Sequence, residues 1–212
     1  MGMELLARVK KALADVETNL KASEGGALHT LPYHIQWTAK GYSRSAIAVV
    51  AVAALIQRPT TTAAIQLGNN EAGGGKVYVM ERGFAHQLVH PNFEIESGLH
   101  ICVHPVGTAM PDTNDITVRN SSSGLAAGSS LSIFDINEGV NDDGWFPWGD
   151  WTKCDETGVT PGGHVEAAFR GRIIIPPKAA ISMHVVAGTT GSTFTCGFHW
   201  FEVPQSELGL GV

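Results

Sequence analysis

The chain has 212 residues, of which 43% are hydrophobic and only 16% charged, and its formal net charge is −6. That length allows one large domain, or two small ones, with a hydrophobic core that needs no disulfide staples. The acidic balance and sparse charge exclude a nucleic-acid binder that works by neutralising phosphates. Low surface charge together with 25 glycines suits a protein that buries surface in an assembly. Three cysteines, Cys102, Cys154 and Cys196, form no CxxC pair and make an odd count. No disulfide framework is expected, which fits assembly in a reducing cytoplasm.

The periodicity predicts a helix over Met3–Lys21. Leu6, Val9, Leu13, Val16 and Leu20 repeat at spacings of three and four as an a/d seam, with Lys10, Lys11, Asp15, Glu17 and Lys21 off it. This segment has no apolar core or cleavage site, so it does not read as a secretory signal. At roughly two and a half heptads the seam is too short to associate alone. It calls for a partner surface: its own domain, a neighbouring subunit, or a short coiled coil that fixes an oligomer. Ser23–Gly26 reads as a hinge, and Leu31–Lys40 as a first strand or an extended arm. Residues 1–40 therefore form an N-terminal helix and arm, and residues 41–212 a β domain.

Ala46–Ile56 is an unbroken apolar run of eleven residues. A bilayer span needs about 20, so the run reads as a buried strand pair or a helix covered on all sides, and no membrane partner is expected. Ala63–Leu67 follows as a short strand. Gly73-Gly74-Gly75-Lys76 invites a phosphate-loop reading, but no G-x-x-x-x-G-K-[ST] is present and a strand follows, Val77–Met80. A tight hairpin is the expected structure. Phe84–Val89 and Gly98–Val106 continue the strand series.

On the second of these, His100, Cys102 and His104 share one face, because side chains two apart on a strand point the same way. Two imidazoles and a thiolate make these the candidate metal residues. A site would need a further ligand and outer acceptors. The nearest histidines, His86 and His90, lie on another strand, and Cys102 also reads as a small core residue. No metal or other cofactor is therefore assigned.

Asp112–Ser130 reads as strand and loop, and Leu131–Ile136 as a short strand. Asn137–Trp151 then gathers three of the five tryptophans beside Glu138, Asp142, Asp143 and Asp150. Trp145, Phe146, Trp148 and Trp151 offer rings for stacking on sugars, flanked by carboxylates that accept hydroxyl protons. Asn141, Asp142 and Asp143 offer oxygens for Ca²⁺, without the EF-hand spacing. The alternative is a long loop pinned by its own tryptophans or packed on a neighbouring subunit.

Val165–Phe169 returns to the sheet, and Gly171–Pro204 holds three strand-length apolar runs: Arg172–Ile175, Ala180–Val186 and Phe194–Phe201. Pro176-Pro177 and Gly188–Gly191 separate them. The last alternates Phe194, Cys196, Phe198 and Trp200 against Thr195, Gly197, His199 and Phe201, the pattern of a half-buried strand. The expected fold is an all-β antiparallel sandwich preceded by the N-terminal helix and arm.

Two stretches carry a family resemblance. Gly74–Ala85, GGKVYVMERGFA, is similar to the G-G-K-x-Y-V-I-x-R-x-F-A hairpin of tailed-bacteriophage virion proteins. Gly171–Pro204 resembles the closing G-R-x-I-V-P-P-x-A-A-x-S-x-H-V … W-x-E-V-P part of the same group. The resemblance covers about a quarter of the chain, on structural motifs only, so it carries no catalytic residue across. It implies a jelly-roll sandwich on the virion, a capsid decoration (cement) protein that binds the major capsid protein or other virion proteins as a homo-oligomer, often a trimer. The alternative is a tail or spike protein that binds host glycans through the Trp-rich loop. An enzyme is not expected. The His100-Ile101-Cys102-Val103-His104 spacing fails the cupin H-x-H pattern, and no GxSxG or other Ser-His-Asp signature is present.

Overall fold

The computed structural model describes residues 21–22, 28–29, 32–89, 95–108, 110–136, 138–154 and 163–209. The helix expected over Met3–Lys21, with its Leu6, Val9, Leu13, Val16 and Leu20 seam, lies outside them except for its last residue. Lys21 is in a strand, β1 (Lys21–Ala22), paired with β2 (Leu28–His29).

The rest builds two packed antiparallel sheets, an all-β sandwich. The six-stranded sheet runs β11 (His164–Ile175), β6 (Lys76–Val89), β13 (Thr193–Pro204), β3 (Ser43–Ile47) and β8 (Arg119–Asn120), with β4 (Val52–Ala53) also on β13. The five-stranded sheet runs β10 (Phe146–Cys154), β7 (Ile95–His104), β12 (Ala180–Ala187), β5 (Ile65–Asn69) and β9 (Ser132–Ile136). The main pairings nest. β3 pairs with β13, β5 with β12, β6 with β11, and β7 with β10.

The core forms where the inward-facing residues of the two sheets meet. Phe194, Cys196, Phe198 and Trp200 of β13 are buried against Leu99 and Ile101 of β7, Ile181, Met183 and Val185 of β12, and Phe134 of β9, all in one cluster. This is the alternation expected of the last apolar run, and large rings on successive inward positions fill the space between sheets. Gly197 interrupts the outward row for a packing reason. A Cβ there would lie 2.5 Å from the Ala46 carbonyl oxygen and 2.5 Å from the Phe84 ring. The stretch Arg172–Ile175 is the second half of the longer strand β11. Its register on β6 shifts between Ala168 and Ile173, where Arg170 (φ 50°) and Gly171 (φ 74°) take left-handed conformations.

Several expectations are corrected. Leu31–Lys40 is neither strand nor arm: Tyr33–Ala39 forms helix α1 after Pro32. Tyr33 and Trp37, four apart and so on one helical face, both stack on Phe201. Trp37, with Tyr42 and Leu208, packs against Val77, Val79, Phe201 and Val203 on the outside of the six-stranded sheet. The Ala46–Ile56 run does form two strand pieces, both on β13, but it is not buried throughout. Val49 is 82% exposed, and Ile47, Val50 and Ile56 are also open. The turn before Lys76 closes no hairpin, since β5 and β6 belong to opposite sheets and the chain crosses between them there. The second half of the Trp-rich segment is not loop but the edge strand β10, paired with β7. No described helix is long and apolar enough to cross a membrane.

Candidate functional site

The outer face of the five-stranded sheet is polar and yet buried. Period-two alternation puts Leu99 and Ile101 into the core, so His100, Cys102 and His104 point the other way. Their cross-strand neighbours continue the row: His184 opposite His100, Ser182 opposite Cys102, Gln66 opposite Ser182, and Asp135 opposite Gln66. All of these are buried.

What covers them is a flap made of two chain segments. The Ala63 N–H donates to the Glu138 carbonyl, Val140 N–H to Thr61, and Asp142 N–H to Thr60, at 2.9 to 3.2 Å. Arg58 Nη1 donates to the Asp143 carbonyl at 2.9 Å, tying the two segments again. Beneath the flap, Trp145, Val140, Ala63 and Cys102 pack as a small second core.

At the heart of this layer His104 joins the sheet to the flap. Its Nδ1 lies 2.8 Å from Asp142 Oδ2 and its Nε2 lies 2.7 Å from Ser182 Oγ. Cys102 Sγ is 3.8 Å from the same Nδ1. The Gly144 N–H donates to Asp142 Oδ1 at 2.7 Å. That bond, with help from the His104 ring and against the cost of burial, holds the Asp142 carboxyl below its ordinary range. With Asp142 ionised, Nδ1–H donates to it, and Nε2 accepts from the Ser182 hydroxyl. Burial and then the nearby Asp142 charge push the Cys102 thiol up to about 12, so it is neutral. Burial lowers His100 and His184, with Arg58 adding to the effect at His100 and the His100 ring to that at His184.

Asp142, His104 and Ser182 stand in the order of a hydrolase triad. Ser182, however, has no exposed surface and sits in mid-strand with neighbours on both sides. No substrate carbonyl reaches its Oγ in this arrangement, so the row works as a positioning network for the His104 ring.

The candidate metal residues are thus split. Cys102 and His104 come together, while His100 stays out of their group and Asp142 takes the third place, with all three ligand atoms within 4.8 Å of one another. His86 belongs to the other sheet, where its ring stacks on His164 at 4.4 Å. His90 lies outside the described residues. Asp142 was legible as a carboxylate beside the sugar-stacking rings or as one oxygen of a Ca²⁺ reading with Asn141 and Asp143, and the structure turns it inward onto His104. Ser182 stood only as the serine of the A-A-x-S-x-H-V stretch, with no role attached, because its place beside His104 depends on cross-strand register.

The Trp-rich rings also divide. Trp145 is 3% exposed and anchors the flap. Trp148 stacks edge-on against Phe169 at 5.2 Å, with the Arg172 guanidinium 5.2 Å over its ring, so it closes the β10–β11 side of the sandwich. Phe146 is partly exposed, and Trp151 lies on the backbone of β10. Trp145 and Trp148, two of the rings expected on the sugar surface, are therefore packing residues.

A second acidic group, Asp112, Asp135 and Glu138, lies beside the flap. Thr113 Oγ1 donates to Asp135 at 2.7 Å. Burial and a hydrogen bond to Asp135 raise Glu138 to about 7, so the two carboxyls share one proton. No protein-family model matches this chain, and no curated protein or solved structure matches it either.

Proposed function

We propose that this chain is a virion structural protein of a tailed bacteriophage, a jelly-roll subunit that decorates the capsid shell as a homo-oligomer, expected to be a trimer. The observation that carries the reading is an apolar rim at one end of the sandwich. Thr193 pairs with both Val89 and Ala53, which brings the end of β6 beside the β3–β4 connection. Ile47, Val49, Val50, Leu88 and Val89 are all exposed there. Clustered exposed apolar side chains mark an association surface, and a second copy of this chain is the partner proposed.

The strand order supports the jelly roll. Nested pairing of β3 with β13, β5 with β12, β6 with β11 and β7 with β10 is that of one long hairpin wrapped into two sheets. Such folds also serve lectins and cupins, so the fold is an analogy and the rim is the argument. Binding between shell subunits stabilises a head by interface burial repeated over many copies. No catalytic step is assigned.

Copy number in purified particles, by quantitative mass spectrometry against the major shell protein, tests this. A ratio near one, or a simple fraction such as one third, is expected. A handful of copies would move the protein to the tail or a vertex, and absence from particles would end the virion reading.

A further inference from the structure

We infer that Cys102, His104 and Asp142 bind one Zn²⁺ ion that fastens the 138–145 segment of the flap onto the five-stranded sheet. Two ligands come from β7 and the third from the chain just before β10, so the ion would join segments far apart in sequence.

The geometry is close to what zinc demands. With Zn–S near 2.3 Å and Zn–N near 2.0 Å, a tetrahedral ion sets S and N about 3.5 Å apart. Cys102 Sγ and His104 Nδ1 are 3.8 Å apart. The Nδ1 to Asp142 Oδ2 distance, 2.8 Å, must open by about half an ångström, a small move for a flap side chain. The charges also balance, since one thiolate and one carboxylate neutralise the ion. That matters where Cys102 and His104 have no exposed surface.

The outer partners that metal ligands require are in place. Ser182 Oγ sits 2.7 Å from Nε2, and the Gly144 N–H holds the second Asp142 oxygen. On binding, the Cys102 proton leaves to solvent. The ring proton moves from Nδ1 to Nε2 and is donated to Ser182 Oγ. Gly144 leaves room beside the ligands, since a Cβ there would lie 3.0 Å from Asp142 Oδ1 and 3.5 Å from Cys102 Sγ. A water takes the fourth position, reached from the Asp142 side, where that side chain is 25% exposed. A sulfur and an imidazole select zinc over Ca²⁺ or Mg²⁺. The inference is independent of the virion reading.

The test uses the full chain, dialysed against metal-free buffer and titrated with Zn²⁺, then with Co²⁺ as a spectroscopic probe. One equivalent per chain is expected, with a thiolate-to-cobalt charge-transfer band and a raised melting temperature. Asp142→Asn should weaken binding at least tenfold, and His100→Ala should leave it unchanged. Cys102→Ser alters the small core under Trp145 and can fail to fold. Ser182→Ala is the second variant: it keeps all three ligands, so the band should persist with affinity lowered about tenfold. Folded wild-type protein that gives no charge-transfer band and no thermal shift at saturating metal overturns the site. So does binding that Asp142→Asn leaves intact.

Discussion

Glu202 has no exposed surface, yet it carries a carboxylate. Arg44 Nε lies 3.1 Å from it and Lys76 Nζ 3.7 Å, and the Ser130 hydroxyl donates to its other oxygen. Removing one partner of such a group strands a buried charge, so Glu202→Ala should cost about 3–5 kcal/mol, read as a lower urea midpoint. Replacing the pair together, Arg44→Met with Glu202→Leu, should cost far less. Glu138 answers to pH instead. Its carboxyl is raised from an ordinary 4.5 to about 7, so the folded state holds the proton more tightly than the unfolded chain. The stability this contributes is complete below about pH 4.5 and is lost as pH rises through 7. Asp135 has the opposite sign. Burial pushes it up, but hydrogen bonds from Thr113, Glu138 and the Ile136 N–H outweigh that and hold it below 3.8, so its share is lost only in stronger acid. Glu138→Gln keeps a donor without a titrating proton. It should flatten the fall in urea midpoint between pH 5 and pH 8 and make the variant the more stable protein at pH 8. At this scale the sequence was half legible. Alternation along β7 put Cys102 and His104 on one face, whereas Asp142 and Ser182 joined them through a flap fold and a strand register that no local pattern encodes.

Elements were legible wherever strong breakers bracket a β-branched run. Pro176-Pro177 and Gly188–Gly191 delimit β12, and its neighbours β11 and β13 emerged with it. Helix α1 was missed because its seven residues, Tyr33–Ala39, give too short a window for a helical period, and its aromatics read equally well as strand. Its place is set by packing, with Trp37 on Phe201 and the Lys40–Glu207 ion pair at its end. Trp37→Ala should therefore release α1 with a loss of about 1–2 kcal/mol. Hydrogen exchange should then show the helix amides opening while the core strands stay protected. Strand β10 was hidden because Gly149 and Asp150 break its apolar pattern in sequence, and the edge position is set by pairing with β7. Gly197 marks the reverse case, a mid-strand glycine with a strict packing role. Gly197→Ala forces a methyl into the Phe84 ring and the Ala46 carbonyl and should cost about 1–3 kcal/mol, seen as a lower melting temperature.

At the scale of the molecule, the two-sheet architecture was readable from apolar alternation and turn chemistry, because a chain with many short amphipathic strands has few other ways to bury them. How the strands are ordered was not readable, since pairing partners are set by contacts across most of the chain. The apolar rim belongs to this scale too. Val49→Asp combined with Val50→Asp changes only exposed side chains, so it should leave the melting temperature within about 1 kcal/mol equivalents of wild type. It should shift the protein to a smaller species on size-exclusion chromatography with light scattering. A persistent oligomer would move the association surface elsewhere.

The nested pairing also has a consequence for synthesis. Ser43 meets Phe201, and the six-stranded sheet is built around β13, so β3, β4 and β6 all have a place on the last of the described strands. At about 5–20 residues per second, the roughly 160 residues from β3 to β13 occupy the ribosome for on the order of ten seconds. Until β13 emerges, the edges of β3 and β6 that will face it have no partner from their own chain. A message carrying many ribosomes would hold several such open sheets side by side, each an unpaired edge on which a neighbour's β13 can pair in competition with its own.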